Sequence, residues 1–265
     1  MFEDIDKLKC RLDSLRPIHP EIMEIIDKKF KIDWTYNSNA IEGSSLSLQE
    51  TSFFLQYGLT SKGKPLKDYL EAQNHAEAID WLRDIIKEKK PITEGLIKEL
   101  HALLFKGIDY IWVGPPDIRV KKKISPGKYK TEPNYVITLE GEIHYYCEPI
   151  RVPEEMEKLV KMINNSLYHP VELSARAHYK LVAIHPFDDG NGRVARLLMN
   201  LILMKYGYVP VVIKQENRED YYKALMKADA GEMDDFIQLV AAEERNSLRL
   251  ILEIIEKHME KRGQI

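Results

Sequence analysis

Apolar residues recur at three- and four-residue intervals over most of this chain, and that period commits it to helices before any other feature is weighed. Residues 2–16 and 21–36 carry the spacing, the second through Ile22, Ile25, Ile26 and Phe30. Ser47-x-x-Glu50 reads as a capping box that opens a helix containing Phe53, Phe54 and Leu55. Amphipathic patterns follow over 68–88 and 93–105, the latter with Thr93 as N-cap. The period returns over 153–166, 172–184, 193–206 and from 220 onward.

Between residues 107 and 153 the pattern changes. Pro115, Pro116, Pro126, Pro133 and Pro149 exclude a continuous helix there. Residues 135–139 and 143–147 have strand character, and Glu140-Gly141-Glu142 sits between them as a turn. The expected fold class is therefore all-α with one inserted β-hairpin, at about residues 129–149. A chain of 265 residues suffices for one sizeable helical domain. A net charge of −3 gives no case for general nucleic-acid binding, and Lys121-Lys122-Lys123 reads as a solvated loop. Cys10 and Cys147 form no metal or disulfide pattern, which suits a reducing compartment. The first residues lack the apolar core of a signal peptide, and the run from Leu197 to Met204 is too short to span a membrane. A soluble cytoplasmic protein without membrane or specific nucleic-acid partners is expected.

The densest chemistry lies at 185–196, His-Pro-Phe-Asp-Asp-Gly-Asn-Gly-Arg-Val-Ala-Arg. Pro186 disfavours helical angles at His185, so the preceding helix should end there and leave the imidazole facing a cleft. Phe187 reads as an anchor for the loop. Asp189 precedes Gly190-Asn191-Gly192, whose glycines permit backbone angles that turn successive N–H groups toward one point. A helix beginning at about Arg193 adds its N-terminal dipole to that anion site. Arg193 and Arg196, three residues apart, share a face on which they can hold phosphates. Singly, each of these residues is more often structural; their contiguity points to nucleotide phosphate chemistry. Two other glycine motifs do not. Gly190-x-Gly-x-x-Ala195 lacks the βαβ context of a dinucleotide site, and Gly58-x-x-x-x-Gly63-Lys64 is followed by Pro65 instead of a magnesium-binding hydroxyl.

The twelve residues match the signature of the Fic (filamentation induced by cAMP) family, His-x-Phe-x-(Asp/Glu)-Gly-Asn-Gly-Arg-x-x-Arg, at every defined position. The flanking Ala175-x-Ala-His-Tyr-Lys-Leu-Val-x-Ile-His and Leu197-Leu-Met-Asn-x-x-Leu-Met-x-x-Gly-Tyr resemble the same family. So does Ser38-x-x-x-Glu42-Gly43, which is similar to the family's inhibitory motif, (Ser/Thr)-x-x-x-Glu-(Gly/Asn). The likeness is to the catalytic domain of the animal endoplasmic-reticulum members and covers roughly residues 30 to 245; nothing in it resembles their tetratricopeptide repeats or the winged-helix tail of some bacterial members. It divides the chain into N-terminal helices including the inhibitory one, 1–60, and a catalytic core, 61–265.

The resemblance implies a protein adenylyltransferase that moves AMP from ATP to a Ser, Thr or Tyr hydroxyl of a target protein. His185 would be the general base, with an ordinary pKa near 6.5. Asp189 would bind Mg²⁺ bridging the α- and β-phosphates. The amides of Gly190, Asn191 and Gly192 would stabilise phosphate charge, and Arg193 and Arg196 would hold the β- and γ-groups. The hairpin would be the flap that aligns a target segment by strand addition, with Ile137, Thr138 and Leu139 beside the nucleotide. Tyr221, Tyr222 and Asp229 would line the adenine pocket, although Asn is usual where Asp229 stands. Glu42, supported by Ser38 and Gly43, would pair with Arg196 and keep the γ-phosphate from its productive pose; self-association is also implied. Three alternatives stay open on sequence alone: a Fic enzyme that removes AMP, one using another donor, and a nucleotide-binding regulatory module without turnover.

Overall fold

In the structure, a computed structural model describing residues 2–114, 118–137 and 143–261, one helix lies at the centre and the others pack around it. That helix, which we number α8 (Asn191–Lys205), has Val194, Ala195, Leu197, Leu198, Met199 and Leu201 fully excluded from solvent. Its sequence is apolar nearly all round, as a helix covered on every side requires. Each of the Val, Leu and Met side chains among them contributes about 1.5–3 kcal/mol on burial. Beyond the site residues Asn191, Arg193 and Arg196, Asn200 is its buried polar residue; its amide donates to the carbonyl of Val211 while its oxygen accepts from the Val211 N–H, both at 2.8 Å. This pair fixes the chain as it leaves α8.

Around α8 lie α1 (Glu3–Ser14), α2 (Pro20–Ile41), α3 (Leu48–Tyr57), α4 (Leu66–Lys87), α5 (Glu94–Leu104), α6 (Val152–Asn165), α7 (Pro170–Ile184), α9 (Arg218–Asp229) and α10 (Asp234–Lys261). α7 packs along α8, and α10 closes the bundle against α1, α7 and α9. The expected caps are present. Ser47 and Glu50 form the reciprocal capping box of α3, and the Thr93 hydroxyl accepts from the Leu96 N–H. The Gly58–Lys64 mimic of a phosphate loop begins in the left-handed C-cap of α3, at φ +69°.

The all-α expectation is met, with two departures. α2 continues to Ile41, five residues past the apolar pattern, because its last turns bury the polar Thr35, Asn37, Ser38 and Asn39 alongside Ile41. There are also two hairpins among the described residues where one was expected. β1 (Tyr110–Val113) pairs with β2 (Val120–Lys123), and β3 (Tyr135–Ile137) pairs with β4 (Ile143–Tyr145), both antiparallel. Lys121-Lys122-Lys123 is therefore strand, not loop. The prolines at 115 and 116 hid the first hairpin. No described helix is long and apolar enough to cross a membrane.

Candidate active site

α7 ends at Ile184, and His185 takes the left-handed conformation at φ 50°, ψ 59°. That geometry costs a non-glycine residue about 1–2 kcal/mol and is held by what surrounds it. The His185 Nδ1 lies 3.3 Å from the Val182 carbonyl, so Nδ1–H donates there and Nε2 keeps its lone pair. The Tyr146 ring, just past β4, stacks on the imidazole at 3.8 Å and 16°. Burial first, and the nearby Lys130 ammonium second, push the histidine down to about 4. The ordinary value near 6.5 expected from sequence does not hold; the imidazole is neutral throughout the physiological range.

Phe187 is fully buried and stacks on His101 at 3.9 Å. His101 accepts from the Gly127 N–H on Nδ1 at 2.8 Å, which leaves Nε2–H to donate to the Asp189 carbonyl at 3.2 Å. Asn191 clamps the turn from the other side: its oxygen accepts from the Phe187 N–H and its amide donates to the Phe187 carbonyl, both at 2.9 Å. α8 begins at Asn191, two residues earlier than expected, so Gly192 and Arg193 occupy its first turn, where N–H groups lack intrahelical partners. The two glycines serve different ends. Gly190 has φ +74° and a Cβ there would sit 2.5 Å from the Phe105 ring. Gly192 is helical; a Cβ on it would lie 2.5 Å from Glu42 Oε1 and 3.1 Å from Arg196 Nη1, so it supplies space and not an unusual backbone angle.

Each arginine is met by a carboxylate. Arg196, 3% exposed, donates from Nε to Ser38 Oγ at 3.0 Å, and from Nη2 to the Ser38 carbonyl at 2.8 Å and Glu42 Oε1 at 2.7 Å. Glu42 is the C-cap of α2, and Gly43 follows at φ +96°. Arg193, equally buried, reaches Glu71 of α4 at 2.9 Å and Asp189 at 3.9 Å. Asp189 Oδ1 accepts from the Gly190 N–H at 2.6 Å. No cluster of three or more metal-ligating side chains exists among the described residues. One accessible carboxylate at a helix N-terminus suits Mg²⁺, which takes most of its remaining ligands from phosphate and water.

A model of the Fic/DOC family matches residues 91–203. A Fic domain containing signalling protein from Bacteroides thetaiotaomicron superposes with a TM-score of 0.86 at 32% identity, covering 96% of this chain and 97% of that one. The chain belongs to the Fic family. It is also similar to protein adenylyltransferase Fic of Nematostella vectensis, at 32% identity over 91% of this chain, and to protein adenylyltransferase fic-1 of Caenorhabditis elegans, at 32% over 94%. The alignments take in 53% and 46% of those two proteins, so the chain spans about half the length of these curated relatives. A solved fragment of Caenorhabditis elegans Fic-1 superposes with a TM-score of 0.78 at 29% identity, over 94% of this chain and 69% of the fragment.

The Fic signature thus converges in space with Ser38 and Glu42 across more than 150 residues of chain. The remaining expected positions divide. Ile137 ends β3, while Thr138 and Leu139 lie outside the described residues, as does the Glu140–Glu142 turn. The hairpin is tied to the signature by backbone and side chain. The Lys130 N–H donates to the Pro186 carbonyl at 2.8 Å, and the Asn134 amide to that of Phe187 at 3.0 Å. Tyr221 departs from the expected pocket lining: it is 1% exposed, and its hydroxyl lies between His178 Nε2 at 3.1 Å and Arg196 Nη1 at 3.4 Å. It buttresses Arg196 from below. Tyr222 and Asp229, seven residues apart on α9, are exposed on one helical face; the Arg218 guanidinium covers the Tyr222 ring, and Tyr179 donates to Asp229 at 3.1 Å.

Sequence reasoning missed Glu71, Tyr146, His178 and Lys130. Glu71 left a trace: Asp68, Glu71, Asn74 and His75 recur at helical spacing among Ala72, Ala76 and Ile79, so a polar stripe runs along the buried face of α4. Tyr146 and Lys130 gave no sign, because their meaning depends on where the hairpin folds.

Proposed function

We propose that this protein is an adenylyltransferase that transfers AMP from ATP to a hydroxyl side chain of another protein, and that Glu42 holds it in a restrained state. The observation that carries the reading is the join between the two motifs: a histidine with a free Nε2 stands beside a helix-terminal anion site whose second arginine is occupied by Glu42 at 2.7 Å. The relatives named as protein adenylyltransferases support the donor and the acceptor class.

In this reading Nε2 of His185 takes the acceptor proton, Nδ1–H being fixed on Val182. The acceptor oxygen bonds to the α-phosphorus, the bond to the bridging oxygen breaks, and pyrophosphate leaves with the electron pair. The first-turn amides of α8 and the Arg193 and Arg196 guanidinium groups face charge that builds on the phosphates, so catalysis is mostly positioning and electrostatics. Asp189 would hold Mg²⁺, which compensates phosphate charge when bound. Tyr222 and Asp229 would face the nucleoside, and the β3–β4 hairpin would present the acceptor segment by strand addition. The free cysteines Cys10 and Cys147 fit a reducing compartment, and we place the reaction in the cytoplasm.

The test is incorporation of label from α-labelled ATP with Mg²⁺ by wild type, Glu42→Gly and Glu42→Gly/His185→Ala, each alone and in lysate. Label in the single variant that vanishes in the double is expected. ATP binding without label in any of the three would sink the transferase reading in favour of another donor, of AMP removal or of a binding module.

A further inference from the structure

The β1–β2 hairpin has two unlike faces. Cross-strand partners in an antiparallel pair share a face, so Tyr110 goes with Lys123 and Trp112 with Lys121 on one side, and Ile111 with Lys122 on the other. The second face is anchored. Ile111 is 6% exposed and belongs to the main core together with Ile108 and Ile124 at the hairpin's base. Lys122 forms ion pairs with Asp188 of the Fic signature at 2.9 Å and Glu132 at 3.5 Å. The hairpin is therefore seated directly against the catalytic loop.

The first face has no such anchor. Trp112 is 55% exposed and Tyr110 41%, their rings meet edge to face at 6.1 Å, and the Lys121 ammonium stands 3.6 Å over the Tyr110 ring. Among the described residues neither Lys121 nor Lys123 has a carboxylate partner. Folding gains little from an exposed tryptophan, and three consecutive lysines repel one another. Exposed aromatics beside unpaired cations are the composition of a recognition surface.

We propose that Tyr110, Trp112, Lys121 and Lys123 form a docking surface for an acidic segment of the protein whose hydroxyl is modified, an inference that rests on the transferase reading. Charge complementarity selects the acidic chemistry. Lys122, on the hairpin's opposite face, pairs with Asp188, so the docking face belongs to the same hairpin that borders the signature loop. Nucleic acid fits less well. The rings stand perpendicular with one face already under Lys121, so they offer no parallel platform for bases, and the chain's net charge of −3 supplies no broad attraction for a phosphate backbone.

The experiment measures fluorescence anisotropy of a labelled Asp/Glu-rich peptide carrying one Thr, of its Asn/Gln counterpart, and of single-stranded polyuridylate, against the whole chain. Wild type should prefer the acidic peptide, and Lys121→Glu/Lys123→Glu should weaken it about tenfold or more, as should Trp112→Ala. Lys28→Glu, on α2, should leave it unchanged. Equal binding of the acidic and neutral peptides, an unchanged double variant, or tighter binding of polyuridylate would each overturn the proposal. In the Glu42→Gly background the double reversal should lower labelling of the acidic peptide without altering ATP binding. Peptide binding that needs the two lysines, with no label transferred by any variant, would leave the docking surface standing and remove the transferase reading.

Discussion

Replacing Glu42 by Gly should raise AMP transfer, and the structure gives the size of the effect. A hydrogen bond to a charged group contributes about 1.5–3 kcal/mol net, and Glu42 makes one with the 3%-exposed Arg196 at 2.7 Å. The glutamate side chain is itself 34% exposed, and solvent screens it, so about 2 kcal/mol is the appropriate figure. A phosphate group seeking Arg196 must displace that contact; its removal should favour the productive pose by about 30-fold. The change also has a cost. Glu42 sits at the C-cap of α2 with φ −85°, an ordinary angle at which Gly loses about 0.5–1 kcal/mol of backbone entropy. Arg196 keeps its bonds to Ser38 and Tyr221, so the guanidinium stays in place. Expected, then, is a variant that melts a few degrees lower, binds ATP at least as tightly, and labels acceptors about 30-fold faster. Initial rates with α-labelled ATP, with Tm measured in parallel, decide the matter. A folded, ATP-binding variant whose rate lies within twofold of wild type would show that the Glu42–Arg196 contact does not restrain transfer.

With the histidine held near 4, the acidic limb of kcat/KM should fall between about pH 4 and 5, because His185 must be neutral to accept a proton and its folded pKa lies below the ordinary 6.5; a limb centred near 6.5 would contradict this. Glu244 is fully buried, burial pushes it up to about 8, and only its contact with the Val209 N–H opposes that shift. Its protonated form stabilises the fold fully below about 4.5, and that contribution is lost as pH rises toward 8; Tm should fall over this window, and Glu244→Gln should flatten the fall. Gly190→Ala would put a left-handed alanine 2.5 Å from Phe105, so about 2 kcal/mol or more of stability and nearly all activity should go, read by denaturant melts and by labelling. Glu71→Gln should lower Tm without ligand, by uncovering a buried guanidinium, and enlarge the rise in Tm on adding ATP, without raising transfer. Faster transfer in that variant would mean that Glu71 too is a restraint.

What was legible in the sequence followed the range of the interaction. Caps such as Ser47 with Glu50, the stop before Pro186 and the apolar wrap of α8 are local, and each was readable from neighbours three or four residues away. The signature was legible because its parts are contiguous, although Gly192 makes room where an unusual angle was expected; outside it, Tyr221 is buried under Arg196 where a pocket wall was expected. The histidine's shift could not be seen, since it comes from burial and from Lys130, 55 positions earlier. The first hairpin was obscured because Pro115 and Pro116 broke the pattern and its alternation spans only four residues per strand. Glu71 is the instructive omission. A buried carboxylate needs a buried cation, and the polar stripe on α4 signalled a partner without saying which one.

Glu42 and Glu71, which meet Arg196 and Arg193, are not equivalent, and under the proposed function their settings suit only Glu42 to act as a brake. Glu71 lies in the middle of α4 with its side chain 10% exposed, so leaving Arg193 would uncover a buried guanidinium whose other carboxylate, Asp189, stands farther off at 3.9 Å. Glu42 stands at the end of α2, a third exposed, next to a glycine in the left-handed region. It can swing toward water and recover hydration while Ser38 and Tyr221 keep hold of Arg196. With both acids in place and Asp189 beside them, the site carries two guanidinium groups against three carboxylates, a poor attractor for a polyphosphate. Moving Glu42 brings the balance to neutral in fact, and bound Mg²⁺ would carry it positive. In the proposed reading, restraint by Glu42 would be steric and electrostatic together, whereas Glu71 would fix the direction of Arg193.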